Sequence, residues 1–535
     1  MNTNNFAGTG ILFKLFLHRD RFLLPIWIFL PVVLILIVAS TFSSMGGEGL
    51  ENVLLAFDND PLVSAILGPV MSFDLTGAIV WRGTSQIALT LGLGSLFTFI
   101  RHTRVDEETG RYELIRSYVT GTYASLTAAL TLTIIGNLIA GILIAITIIF
   151  LGGSIASSLL YAITMVTIGC FFAGISGVAV QLRESSGSAR GIGITVLGLG
   201  ILLSILNNTV GADSFLNWIT PMAWQRLTQP FAGDNWFYLF YFIIICALPM
   251  IISYVLTARR DLGEGIFIPR SGPKEASPRF SSPLALAWRL QKKNFFGWII
   301  ATVLYIVVFA AFSPSLSETE GMSGWLSNLG GTNWVEDMEL GYVFISIGIY
   351  LMALFVGIYA ITTVFRLKKE ENEGRIEMLL DKQVSRTKLM RSHLIVAYLF
   401  SATLLLAMGI AGGLAYGIAS GDLGGNFGVI FNMSVSKIPS VWIFVGLSAL
   451  LYGLFPRISE FSWVIWISCS LLELTWEAKL IDWSLMSISP YAYAHYTIQI
   501  TELPYLSLFL LIVISLLFTT IGLLGFKNRN VQTKA

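Results

Sequence analysis

Residues 106–115 read DEETGRYELI, and residues 370–379 read EENEGRIEML. Gly110 and Gly374 stand 264 positions apart in a chain of 535. At that offset Glu107 matches Glu371, Arg111 matches Arg375, Glu113 matches Glu377, and Leu114 and Ile115 match Met378 and Leu379. Acid and base four apart share one helix face, so Glu107 is expected to pair with Arg111 and Glu371 with Arg375. The glycine permits a bend between an acidic end and an apolar end. A short helix with an apolar knob fits a groove on another protein, whereas a lone copy would read equally well as a solvated charge cluster. The chemistry expected here is docking rather than bond making. His102, His393 and His495 are isolated, and His18 belongs to a basic stretch. Cys170, Cys246 and Cys469 sit in apolar runs with no CxxC or histidine spacing, so no metal site is expected. No G-x-x-x-x-G-K-[ST] motif occurs, so the chain lacks a P-loop and is not expected to hydrolyse ATP by that route.

The elements that hold these islands are apolar. The chain is 55% hydrophobic and only 12% charged, and its mean hydropathy is +0.75. So few charges cannot cover a water-exposed surface, and lipid must be most of the solvent. Net charge is +1, which gives no footprint for a nucleic acid. Apolar runs long enough to cross lie near 22–42, 77–100, 124–150, 155–181, 190–209 and 236–257, then 297–313, 341–365, 393–419, 438–455, 459–477 and 504–526. The first is read as a retained span rather than a cleaved signal. Gly-rich 421–428 makes the ninth and tenth the softest boundaries. Basic amphipathic stretches, GILFKLFLHRDR at 10–21 and LALAWRLQKKN at 284–294, precede each set of six. The fold expected is all-α and polytopic, with about twelve spans in two tandem parallel six-helix repeats.

With both termini cytoplasmic, the inner loops hold 29 of 33 Lys and Arg, and only Arg82, Arg226, Lys437 and Lys479 fall outside. Residues 258–283, with prolines and serines throughout, read as a linker between halves 1–257 and 284–535. The outer segments 43–75 and 313–340 are polar. Before the last span of each half, LNWITPMAW (216–224) echoes LMSISPYAY (485–493), either as an aromatic belt or as a short re-entrant or interfacial helix. Ionisable residues at membrane depth usually face a cavity or partner, which makes Arg82, Glu473 and Glu477 candidates for a substrate path. Gly92, Gly94, Gly174, Gly177, Gly191, Gly193, Gly198 and Gly200 would allow close helix packing.

Two six-span halves, an amphipathic lead-in, and an E-x-x-G-R-x-E-[LM]-[IL] island after each second span resemble the membrane subunit of type 2 ATP-binding-cassette exporters. More narrowly, the chain resembles the fused bacterial permeases that export polyketide antibiotics and other drugs. The resemblance implies that each island contains a coupling helix contacting a nucleotide-binding subunit. That role falls on Glu107, Gly110, Arg111, Glu113 and Leu114, and on Glu371, Gly374, Arg375, Glu377 and Met378. The copies depart at Glu108/Asn372 and Thr109/Glu373, and Val119 against Val384 needs one extra residue, so the two sites are expected to be unequal. It further implies two copies of a P-loop ATPase holding ATP and Mg, no cofactor on this chain, a bacterial plasma-membrane location, and a small hydrophobic or amphipathic cargo. The alternatives are an ion-gradient-driven secondary transporter, a membrane-embedded enzyme, and the membrane subunit of an envelope-stress sensor. Few mid-span charges, no clustered His/Asp/Glu and no large outer domain speak against them.

Overall fold

The computed structural model of the protein describes residues 5–529 apart from 44–45, 60–62, 65–66, 117–119, 211–213, 262, 268–281, 315–339, 382–383, 478–481 and 495–502. The chain folds as two compact units, Met1–Gly272 and Pro273–Ala535. Every described regular element is helical. Eleven helices among the described residues are long and apolar enough to cross a membrane.

In the first unit α1 (Thr9–Arg19) is followed by α2 (Leu23–Ser43), α3 (Gly47–Asn59), α4 (Leu75–His102), α5 (Arg104–Glu108), α6 (Arg111–Arg116), α7 (Ala124–Phe150), α8 (Ile155–Leu182), α9 (Ser186–Val210) and α10 (Tyr238–Thr257). Asp74 starts α4 by accepting from the Gly77 amide at 2.7 Å, and Ser154 starts α8 through Ser157. The apolar stretches of α4 and α8 are 67% buried, against 33% for α2, 22% for α9 and 28% for α10. Two central spans are thus walled by lipid-facing ones. Close approach depends on glycine. A Cβ on Gly94 or Gly136 would come within 2.5 or 2.6 Å of the Trp27 ring. Of the eight glycines expected at contacts, Gly92, Gly94, Gly174, Gly177 and Gly193 are tightly packed, but Gly191 and Gly198 face open space. The lead-in α1 buries Leu12 and Phe16 and leaves Ile11 and Leu15 exposed.

In the second unit α11 (Pro283–Phe312) precedes α12 (Leu340–Asn372), α13 (Arg375–Leu380), α14 (Arg386–Ala419), α15 (Leu423–Val435), α16 (Ile438–Leu454), α17 (Phe461–Glu477) and α18 (Tyr505–Asn528). Here α16 and α18 meet backbone to backbone. A Cβ on Gly453 would lie 2.0 Å from the Gly522 carbonyl, and one on Gly446 2.5 Å from that of Ser515. Tyr398 adds hydroxyl contacts to Ser515 at 2.7 Å and Thr519 at 2.6 Å.

Three expectations are corrected in this unit. The stretch 284–294 is not a separate helix. Ser282 caps α11, Pro283 sits in its first turn, and the helix runs unbroken to Phe312. The glycines at 424, 425 and 428 do not interrupt a span, because Asp422 caps α15 through Gly425 and the chain continues to Leu454 as one apolar stretch. The eleventh expected span, 459–477, is present as the 17-residue helix α17. Lys437, counted as an outer charge, is buried at the junction of α15 and α16, 5.7 Å over the Tyr350 ring. Counting charges cannot tell a loop lysine from one folded inward at a helix break.

The echoed segments fold alike. Each unit has a short helix, Leu216–Ile219 or Trp483–Met486, and then a 3-10 turn at Pro221–Ala223 or Pro490–Tyr493. They are more than an interfacial belt, since Trp224 and Tyr491 are fully buried. Trp224 stacks on Phe242 at 4.3 Å, and the Pro490 carbonyl accepts from Ser440 at 2.8 Å.

Candidate functional site

Both islands are a helix, a glycine turn and a second short helix. Gly110 has φ +70° and Gly374 φ +71°, the left-handed region open to glycine. Nothing lies within 4 Å of a Cβ at Gly110, so backbone conformation rather than space demands glycine there. That turn overturns the expected four-apart pairs, because it breaks the helix between Glu107 and Arg111 and between Glu371 and Arg375. Each arginine instead reaches back across the turn to the acid five residues earlier. Arg111 lies 3.8 Å from Asp106, and Arg375 contacts Glu370 at 2.5 and 3.1 Å. The Glu370 hydrogen bond holds the Arg375 guanidinium above its ordinary pKa.

The freed glutamates turn inward. Glu107 receives both terminal nitrogens of Arg260, at 2.5 and 3.0 Å, and also pairs with Arg104. Glu371 receives both of Arg529, at 2.7 Å each, and also the Tyr452 hydroxyl. The Glu107 and Arg260 side chains are each 8% exposed, and Glu371 and Arg529 are 3% and 12%. Arg260 comes three residues after α10 and Arg529 directly follows α18. In each unit, then, a buried bidentate pair clasps the island to the foot of the last long helix. Such forked pairs are among the stronger charge-assisted contacts. Burial desolvates Arg529, yet the hydrogen bonds and charges of Glu371 and Tyr452 together outweigh this and its pKa is raised. Sequence reasoning missed both arginines. They lie 269 residues apart against 264 for the glutamates, so a fixed offset does not find them. The legible signal was an arginine just past the last apolar run, in ARRD and in KNRN.

Other bonds brace the islands. In the first unit Arg104 donates to the carbonyls of Glu184 at 2.7 Å and Gly263 at 3.1 Å. Glu108 accepts from the Ser186 amide at 2.8 Å at the start of α9. Arg19 holds Asp106 at 2.7 Å. Asp20 holds His102 at 2.7 Å, and that imidazole stacks on Phe16. The isolated-looking histidine is therefore a structural link, invisible locally because its partner lies 82 residues away. In the second unit Arg366 pairs with Glu370 at 2.7 Å, Lys368 with Glu460 at 2.9 Å, and Arg386 donates to the Arg529 carbonyl.

What remains outward is Arg111 and Glu113 in one island, and Arg375, Glu377 and Met378 in the other. Met378 is 69% exposed while Ile376 beside it is buried. The side chains of Leu114, Glu473 and Glu477 lie outside the described residues, as do His495, Lys479, Val119 and most of the expected outer segment 313–340. Arg82 sits in α4 beside the Gln86 amide, with no carboxylate within 4 Å among the described residues. No group of three His, Cys, Asp or Glu able to hold a metal occurs among the described residues, and the three cysteines are free thiols.

The family described as "Multidrug efflux system permease Rv1217c, C-terminal domain" matches residues 280–527. The multidrug efflux system permease protein Rv1217c of Mycobacterium tuberculosis is 30% identical over 536 residues, covering 99% of this chain and 96% of that protein.

Proposed function

The chain belongs to the multidrug efflux permease family and is a multi-pass membrane protein, and from that premise we propose that it is the membrane subunit of an ATP-driven exporter, with two copies of a separate P-loop ATPase docked on its two islands. The observation that carries the reading is the clasp found in both units, Glu107 to Arg260 and Glu371 to Arg529. A docking element must pass a push to a span, and these pairs connect island to span directly. Removing one partner of a buried ion pair costs about 3–5 kcal/mol, so island and last-helix foot move as one body. Arg111, Glu113, Arg375, Glu377 and Met378 form the contact faces. Glu107 and Glu371 transmit and do not touch the ATPase.

In this reading the islands and both termini are cytoplasmic, on the side where Lys and Arg gather. ATP, held with Mg in the partner, closes the two ATPases. The movement enters through the islands and rocks two parallel halves, 1–257 and 284–535, joined by the linker 258–283. The cargo is hydrophobic or amphipathic, since the spans carry few charges to bind a strongly hydrated solute. The test is accumulation of a fluorescent amphipathic dye in cells expressing the chain with its ATPase. Accumulation should fall, and should recover when the P-loop lysine of the ATPase is replaced. Efflux that survives that replacement and stops with a protonophore would transfer the protein to ion-gradient transport.

A further inference from the structure

Between α2 and α4 lies a cavity of about 360 Å³ that the clasp does not use. Small-molecule sites begin near roughly 300 Å³. Its walls are apolar, with Leu23, Ile26 and Leu30 on α2 facing Leu89, Leu93 and Phe97 on α4. Asp20 and Arg101 close the end nearest the island. The α2 wall runs from Leu23 to Leu30, seven helical steps and about 10 Å. Ile26 is 63% exposed and Phe97 45%, so the slot opens sideways, to where lipid would be.

A charged end makes this more than a greasy groove. Arg101 reaches Asp20 with Nε at 3.2 Å, and its side chain is 37% exposed. No other carboxylate lies within 4 Å of it among the described residues. Asp20 is shared with His102, and Arg19 and Arg21 flank it in sequence, so the mouth is basic. The Trp27 side chain lines part of the apolar wall.

We propose that this slot binds a single-tailed anionic amphiphile of the fatty-acid type, with its head on the open edge of Arg101 and its tail along the α2–α4 seam. The proposal rests on the export reading for the side of the membrane from which the ligand enters, and it names the charge class that such cargo would carry.

The test uses the purified full chain in nanodiscs and two photo-crosslinking probes, dodecanoate and dodecanol, each with a diazirine near the tail. Labelling should map to 23–30 and 89–97, and the carboxylate should bind more tightly than the alcohol. Arg101→Gln should weaken dodecanoate roughly tenfold, the scale of one hydrogen bond to a charged group, and leave dodecanol unchanged. Because the readout is the ratio of the two probes, general damage to the fold does not imitate it. Leu93→Trp, which fills the slot, should lower both. Labelling spread over all lipid-facing helices, or a headgroup preference that survives Arg101→Gln, overturns the site. A probe released on adding ATP and the partner ATPase is cargo, and one retained is a resident lipid. Either supports the site. If the ATPase co-purifies normally while no headgroup preference exists, the slot fails and the export reading stands.

Discussion

At Glu371 two guanidinium nitrogens and a phenol converge on one buried carboxylate. Removing the arginine leaves that charge unpaired, so Arg529→Ala should destabilise the protein by about 3–5 kcal/mol in a detergent melt, as should Glu107→Ala through Arg260. The double change Glu371→Met with Arg529→Leu should cost much less than either single change, because no buried charge is stranded. Tyr452→Phe should cost only ~1 kcal/mol, the worth of one hydrogen bond. The pKa of Arg529 is raised. The pair's contribution is therefore fully present below the ordinary guanidinium value and is lost only as pH rises through the raised one. Mildly alkaline buffer should leave the melting temperature where it is, and an early alkaline loss would contradict the clasp. Gly110→Ala places a Cβ in the left-handed region and should cost about 1–2 kcal/mol, with Gly110→Asn milder. This residue scale was half legible. The repeat exposed Glu107 and Glu371, but their partners follow from where the last helix ends, which is a tertiary fact.

At the scale of elements, glycine decides which helices meet. Gly453→Leu would drive a side chain into the Gly522 carbonyl across the α16–α18 crossing. It should abolish folded, monodisperse protein on size-exclusion chromatography. Gly198→Ala, in an α9 segment with open space around it, should instead be neutral or stabilise by up to ~1 kcal/mol. Sequence alone cannot separate these two glycines, since both lie in long apolar helices. Span positions were readable because twenty apolar residues leave little choice. The Gly-rich stretch at the start of α15 misled because Asp422 makes it a helix start rather than a loop.

Across the whole molecule, the duplicated island was readable from spacing, and the charge asymmetry from counting. Neither could tell which face of an island points out. The glycine turn answers that by sending Glu107 and Glu371 inward and leaving Glu113, Glu377 and Met378 exposed. Reversing an inward glutamate would damage the fold. Reversing an outward one tests docking alone. The decisive measurement is therefore co-purification from detergent-solubilised native membranes, comparing the wild-type chain with Glu113→Lys plus Glu377→Lys and melting both. The account predicts a P-loop ATPase, identified by mass spectrometry, at two copies per wild-type chain. The variant should lose it at an unchanged melting temperature. Equal ATPase on both chains, or none on the wild type, would contradict it.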